Sequence, residues 1–192
     1  MNCEDIRFKL GSVNPSGISD EVYYIAKQFI KTWPTIEDDF DDATDADEYA
    51  QFDGNFELVT GKKWSRFYST QGKGKISWEY QGETDCKVVV NKASLSYPKL
   101  TNEVRAFAKF ASNGDFVFCI KHDSKYYIIG DKDYRATVTP NGDSGDAAGS
   151  AKGVTMEIEC PSTTPLPTYV GTIELSDGTL NCSTGVFTPT GN

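Results

Sequence analysis

The sequence predicts a mainly β fold, a β-sandwich or barrel-like domain with one flanking α-helix. Aromatic residues make up 12% of the chain, and its apolar residues are largely Val, Ile, Phe and Tyr, which favour sheets. Several segments alternate apolar and polar residues, as strands with one buried face do. A single segment has a clear helical period. With 192 residues, the chain is predicted to form one domain over residues 1–192.

The predicted helix spans residues 101–111. Its apolar residues recur at the spacing of one helical face: Val104, Phe107, Ala108 and Ala111. The Thr101 hydroxyl is placed to cap the first turn. Asn113 and Gly114 are expected to end the helix with positive φ angles. β-rich sequence flanks the helix on both sides, so we expect it to lie on a sheet.

Alternation and turn residues predict the strands. They are placed at residues 4–10, 55–60, 64–69, 75–80, 87–97, 115–121, 126–130, 154–160 and 169–175. Segments 55–60 and 64–69 are expected to pair with each other across a Gly-Lys-Lys turn. Segments 115–121 and 126–130 are nearly continuous apolar runs, which indicates a buried hairpin.

Residues 18–33 fit two different structures. The run EVYYIA is rich in strand formers and predicts a strand over 18–25. Val22, Ile25, Phe29 and Ile30 also fit the stripe of a helix over 21–33. Pro34 ends the segment in either case.

Three segments are predicted to be irregular: an acidic loop at about 35–50, a small-residue loop at about 139–153 and a loose tail over 180–192. Residues 37–48 hold eight acidic residues and no basic one, so the net charge of -9 falls to -1 without them. Their spacing does not match a calcium loop. A chain without a basic surface is not expected to bind nucleic acid specifically.

Catalytic motifs are incomplete in this sequence. Gly142-Asp143-Ser144-Gly145 resembles a serine-protease loop, but the one histidine, His122, lies only 22 residues upstream. Cys119 and His122 form one C-x-x-H pair, half of what a structural zinc site needs. We therefore predict no enzyme, no cofactor and no metal site. A Cys119 nucleophile assisted by His122 remains an alternative, because geometry decides it.

The five cysteines are scattered and odd in number, which indicates reduced thiols and synthesis in a cytoplasm. The opening MNCEDIRFKL has no apolar core of a signal peptide, and no stretch reaches the roughly 20 apolar residues of a membrane span. We therefore predict no membrane partner.

Aromatic and basic residues interleave between residues 62 and 80. Trp, Tyr and Arg are enriched at protein interfaces. The residues predicted to form a subunit interface are Trp64, Arg66, Tyr68, Trp78 and Tyr80.

The order of these segments resembles the major tail tube proteins of phages and prophages, in particular short forms from prophages of gut Bacteroidetes. The resemblance lies in NEVRAFAKFA, in the hairpin FVFCIKHDSKYYIIG and in GDSGDAAGSAKGVTMEIEC, which is followed by proline and Tyr169-x-Gly171. It extends over about residues 18–175. Many members of the family carry an appended Ig-like domain, and we expect none after these segments in this sequence.

The resemblance implies a protomer of hexameric rings that stack into a tube for DNA and that contact other tail proteins. Synthesis in a bacterial cytoplasm and assembly into the virion tail would follow. Residues 55–80 would form an inter-subunit hairpin, and residues 139–153 an assembly loop. Tube initiators, terminators and secretion-system rings share this fold. The alternative is a monomeric β-sandwich that binds a ligand or protein, with Trp64 and Trp78 as its platform.

Overall fold

The computed structural model describes residues 16–147, 150 and 152–191. In this part of the chain there are fifteen strands, two α-helices and one 3₁₀ turn, Lys27–Phe29. The helices are α1 (Ala46–Ala50) and α2 (Asn102–Ala111). The strands are β1 (Glu21–Ala26), β2 (Ile30–Thr32), β3 (Gln51–Phe52), β4 (Glu57–Leu58), β5 (Ser65–Tyr68), β6 (Lys75–Gln81), β7 (Val88–Tyr97), β8 (Phe116–His122), β9 (Lys125–Ile129), β10 (Thr137–Asp143), β11 (Gly153–Ser162), β12 (Thr168–Tyr169), β13 (Thr172–Leu175), β14 (Gly178–Asn181) and β15 (Val186–Pro189).

The strands form two larger sheets and two smaller ones. A six-stranded sheet has the order β3-β12-β9-β8-β1-β5, and a four-stranded sheet has the order β10-β11-β7-β6. Strands β13, β14 and β15 form a three-stranded meander, and β2 pairs with β4. The predicted mainly β, sandwich-like fold with one flanking helix is confirmed. The strand predicted at residues 4–10 lies outside the described residues.

The six-stranded sheet is buried on both faces. Along β8, Phe116, Phe118 and Ile120 face one core, while Val117 and Cys119 face the other. The first core lies against the four-stranded sheet and α2, and the second lies against the meander. A strand covered on both sides has no polar face, which explains the continuous apolar run of the confirmed hairpin β8–β9.

The segment at 18–33 contains β1 and β2, separated by the 3₁₀ turn, so its α-helical alternative is wrong. In β1, Val22 contributes to the first core, whereas Tyr23 and Ile25 contribute to the second. Successive residues of β1 point to opposite faces of the sheet, and a core covers each face. Nearly every position of the strand is therefore apolar. The same positions therefore also fit a helical stripe, and the sequence pattern alone did not separate the two.

Helix α2 begins where predicted, with the Thr101 hydroxyl accepting from the Val104 N–H at 3.4 Å. It also ends at Ala111, as predicted, but the predicted cause is wrong, because neither Asn113 nor Gly114 has a positive φ angle. Gly114 is instead needed for packing, since a Cβ atom there would collide with the ring of Phe116.

The predicted pairing of 55–60 with 64–69 is wrong, as is the inter-subunit hairpin over 55–80. Strand β4 pairs with β2, β5 pairs with β1, and β6 pairs with β7. The segment therefore crosses three sheets. The turn residues between the two apolar runs did not make them partners, because each run pairs with a strand that lies further upstream.

The three irregular segments are shorter than predicted. The acidic segment ends in helix α1, whose first turn is capped by the Asp45 carboxylate accepting from the Glu48 N–H at 2.9 Å. The small-residue loop begins only after β10, whose Pro140 is tolerated because β10 is an edge strand.

The C-terminal region is also more ordered than predicted. The strand expected over 169–175 is divided at Gly171 into β12 and β13. The predicted loose tail contains β15 and part of β14. Leu180 and Cys182 are buried in the second core, so the meander is held by apolar packing.

Candidate self-association surface

Trp64 is the predicted interface residue that the structure places elsewhere. Its side chain is only 3% exposed and packs against Phe56 with ring centroids 5.6 Å apart. Its backbone N–H donates to the Glu174 carbonyl at 2.9 Å, which joins β5 to the meander. Trp64 is therefore a core residue of this chain and is not a candidate interface residue.

Arg66 lies on the surface of β5 but is engaged within the chain. Its guanidinium donates to both carboxylate oxygens of Asp177 at 2.9 Å and lies 3.9 Å from the Glu21 carboxylate. It also lies 5.2 Å from the ring centroid of Phe187 in the meander. These contacts attach the meander to β5, so Arg66 has an internal role that the sequence did not indicate.

Tyr68, Trp78 and Tyr80 are the exposed members of the predicted set, at 46%, 50% and 54%. Trp78 and Tyr80 lie on β6 with ring centroids 5.7 Å apart and planes at 81°. Tyr68 lies on β5, where its ring is 6.3 Å from that of Tyr97. The structure thus brings Trp78 and Tyr80 together on β6.

Strand β6 is the outer strand of the four-stranded sheet, and its register shows which way its aromatic side chains point. Trp78 is opposite Asn91 and Tyr80 is opposite Val89, and both partners are buried. Side chains of directly opposed residues share one face of a sheet. The side chains of Trp78 and Tyr80 therefore lie on the core-facing side of the sheet. They are exposed there because they lie outside the area that the rest of the chain covers.

The other face of this sheet is polar and carries an ion-pair network. The Lys92 ammonium lies 2.9 Å from the carboxylates of Glu79 and Glu159. These hydrogen bonds, that of Glu79 first, raise the pKa of Lys92. Ser94 donates to Glu157 at 2.7 Å on the same face. The charges in the middle of this face are thus paired within the chain.

The opposite outer strand, β10, has an unpaired edge as well. Its only strand partner in the described ranges is β11, just as that of β6 is β7. Both outer strands are seven residues long. Unpaired backbone N–H and C=O groups on such strands are a template for pairing with another chain. We call the edges of β6 and β10 the two open edges.

A cleft of about 480 Å³ lies at one end of β6. Tyr80 and Tyr49 line it together with Glu37 and Asp38 of the acidic segment. The opposite wall comes from the link between β11 and β12. The acidic segment therefore lies beside the C-terminal end of β6.

The buried amide of Asn91 holds that link in place. Its side-chain N–H donates to the Thr164 carbonyl at 2.9 Å, and its side-chain oxygen accepts from the Leu166 N–H at 2.8 Å. The link passes from the four-stranded to the six-stranded sheet. Asn91 thus connects the two sheets at the level of Trp78.

The Cys119–His122 pair is not assembled in the structure. The two residues are three apart on β8, so their side chains point to opposite faces. Burial, together with a hydrogen bond to Cys182, raises the pKa of the Cys119 thiol well above its usual value. His122 Nδ1 contacts the Gly17 carbonyl instead. This geometry gives no activated nucleophile.

The serine loop and the metal candidates are equally unassembled. Ser144 is exposed and its hydroxyl donates to the Gly145 carbonyl at 3.3 Å. Within the described ranges, no cluster of three or more His, Cys, Asp or Glu residues is arranged to hold a metal ion. Among these residues there is also no helix long and apolar enough to span a membrane.

Thiol labelling tests the buried state of the cysteines. In a Cys3→Ser background, we expect an aromatic disulfide reagent to modify one thiol of the native protein, Cys86, and four thiols in urea. Cys86 is exposed, whereas Cys119, Cys160 and Cys182 are buried. Burial raises the pKa of Cys160 to about 12, so its reactive thiolate is scarce. Rapid native labelling of Cys119 would instead restore the nucleophile hypothesis.

Comparisons with known proteins found no relative. No protein-family model matches the chain, no curated protein matches it, and no solved structure matches it.

Proposed function

We propose that this chain is a structural virion protein, the protomer of a ring-stacked phage tail tube that forms the passage for DNA. The tail-tube resemblance of its sequence motivates the proposal. The observation that carries it is the four-stranded sheet with two open edges of equal length. On this proposal the chain is made in the cytoplasm of a bacterial host and contacts other tail proteins.

The strand directions of this sheet suit a head-to-tail contact. Neighbouring strands are antiparallel throughout the order β10-β11-β7-β6, so β10 and β6 run in opposite directions. Copies related by rotation about a ring axis keep their strand directions. Strand β6 of one copy would therefore meet β10 of the next in an antiparallel ladder, and such heterologous contacts close into rings.

The offset between the two outer strands has the size that a closed barrel needs. Pro140, the middle residue of β10, is opposite Met156 of β11, which is opposite Leu95 of β7. Trp78, the middle residue of β6, is opposite Asn91 of β7. The offset is four residues, or about 13 Å along the strands. Over four strand spacings, about 19 Å, it corresponds to a tilt of roughly 35°, within the range typical of barrels.

The proposed ring leaves room for DNA. Six copies of a four-stranded sheet give a barrel of 24 strands. Barrels of 16–18 strands already enclose an aqueous channel, and diameter grows with strand number. The apolar face of the sheet is covered by the rest of each protomer. The polar face would therefore line the channel.

The composition of that polar face fits a passage to which DNA does not adhere. DNA adheres to surfaces that neutralise its phosphates with lysine and arginine. Lys92 is already paired with Glu79 and Glu159. The channel wall would therefore offer few cations to the phosphates.

Light scattering coupled to size exclusion, followed by electron microscopy of the large fractions, tests the proposal directly. We expect rings or tubes at high concentration. Trp78→Ala is expected to raise the concentration needed for assembly about tenfold, a loss of about 1.4 kcal/mol per contact. The melting temperature should change by no more than a few degrees, because Trp78 is half exposed within the chain.

Phe187→Ala is the matched control, since Phe187 is an exposed aromatic residue of the meander, outside the four-stranded sheet. It should leave assembly unchanged. A folded Trp78→Ala protein that assembles at the same concentration as the unchanged protein would contradict the proposal.

A monomeric binding module is the second candidate function. The exposed, perpendicular pair of Trp78 and Tyr80 beside the cleft with Tyr49 and Glu37 favours it. Aromatic faces next to carboxylates suit a cationic ligand. A strict monomer at high concentration whose tryptophan fluorescence responds to such a ligand would favour this function over the tube.

A further inference from the structure

We infer that the open edge of β6 receives β10 of a second copy in one particular register, with Lys75 opposite Asp143 and Trp78 opposite Pro140. The inference rests on the proposed self-association and adds to it the partner strand and the alignment. Three observations carry it: the charges at the two open edges, the equal strand lengths and the shapes of the core-side residues.

Lys75, the first residue of β6, lacks an oppositely charged partner, unlike Lys92 and Glu159 in the middle of the sheet. Its side chain is exposed, and it has no ion pair in the described part of the chain.

Asp143 completes the set on the β10 side. Its carboxylate accepts the Gly145 N–H at 2.8 Å and meets no cation among the described residues. The first residue of β6 and the last residue of β10 thus carry unpaired charges of opposite sign.

Full overlap of the two strands aligns these charges. In an antiparallel ladder of seven residues against seven, Lys75 is opposite Asp143 and Gln81 is opposite Thr137. Lys75 and Asp143 carry opposite charges, so this register is favoured at that end of the ladder.

The same register matches the core-side residues in shape. Trp78 is opposite Pro140, and Ile76 is opposite Gly142, which has no side chain to obstruct it. Pro140 also lacks an N–H, so the ladder has one donor fewer at this point. Packing of the Trp78 ring on Pro140 places an apolar contact at that position.

A two-fold contact between two β6 strands is the competing arrangement. It would place Trp78 opposite Trp78 and Lys75 opposite Gln81, and it would close into a dimer. It leaves Asp143 without an oppositely charged partner and does not use the second open edge. The unpaired charges therefore favour β10 as the partner.

Engineered cysteines test the register. In a background without the exposed Cys86 and without Cys3, Ser77→Cys and Asn141→Cys are combined in one chain, since these positions are opposite in the inferred ladder. Directly opposed residues have Cα atoms about 4.5–5.5 Å apart, within the range that a disulfide spans. Oxidised glutathione serves as the oxidant. The two protein thiols form one disulfide and lose two protons and two electrons. Oxidised glutathione accepts these and becomes two molecules of reduced glutathione.

We expect the double variant to give a ladder of covalent multimers on a non-reducing gel, while each single variant stays monomeric. In the competing arrangement, Trp78→Cys alone would form covalent dimers and the double variant would form no ladder. That result would overturn the inferred register and leave self-association intact. Absence of any assembly in the unmodified protein would overturn both the inference and the proposed function.

Charge reversal provides an independent readout of the same pair. Lys75→Glu and Asp143→Lys should each raise the concentration needed for assembly severalfold, and the double variant should recover most of the loss. Both residues are exposed in the monomer, so folding should be unaffected. Additive losses in the double variant would contradict the pairing of Lys75 with Asp143.

Discussion

Replacing Trp64 by alanine is expected to lower the free energy of unfolding by about 3–5 kcal/mol, the usual cost of removing a large aromatic side chain from a core. The Trp64 ring lies in the second core against Phe56, and almost none of it reaches solvent. Urea denaturation monitored by far-UV circular dichroism measures the change.

Tyr68→Ala is the control for this prediction, because Tyr68 lies on the same strand but is 46% exposed. It should cost no more than about 1 kcal/mol. Equal losses from the two variants would mean that Trp64 is not enclosed as described. A Trp64→Ala protein that folds normally but fails to assemble would return Trp64 to the subunit interface.

Val104→Asp is expected to prevent folding. Val104 is buried on the face of α2 that packs into the first core, where the residues around it are apolar. An uncompensated buried charge costs about 3–5 kcal/mol, a large part of a total stability of roughly 5–15 kcal/mol. We expect the variant to lose the near-ultraviolet circular dichroism of its packed aromatic residues.

Ala106→Asp places the same carboxylate on the exposed face of the same helix. It should cost only about 0.5–0.7 kcal/mol, the difference in helix propensity. A folded Val104→Asp protein as stable as Ala106→Asp would show that α2 does not pack on the first core.

Local patterns in the sequence predicted the elements whose structure depends on neighbouring residues. Helix α2 follows from its apolar stripe and its Thr101 cap, and the hairpin β8–β9 follows from two apolar runs. Its turn at Asp123 and Ser124, with φ angles of 45° and 64°, is of the tight kind that hairpins favour. Strands β6, β7 and β11 were likewise readable from alternation.

The errors arose where contacts between distant parts of the chain decide the structure. Strand β5 pairs with β1, more than forty positions upstream. The meander is ordered because Leu180 and Cys182 reach the second core, and no local signal indicates that burial. Trp64 has the composition of an interface residue, and its contact with the distant Glu174 carbonyl places it inside.

The candidate site was predicted in part. Trp78 and Tyr80 are exposed on an outer strand, as a subunit interface requires, and the sequence singled out both. The role of β10 was missed, because its Pro, Asn and Gly residues are typical of a loop. Only the pairing of β10 with β11 shows that this segment is the opposite edge of the same sheet.

During synthesis, strand β1 of the six-stranded sheet is made long before β8, its central partner. Tyr24 of β1 pairs with Phe118 of β8, so 94 residues separate the two strands along the chain. At 5–20 residues per second, a ribosome needs roughly 5–20 s between them. During that interval β1, apolar on both faces, has no central partner, while the hairpin β6–β7 is already complete. The apolar residues of β1 therefore lack the cover of their central partner until β8 has been made.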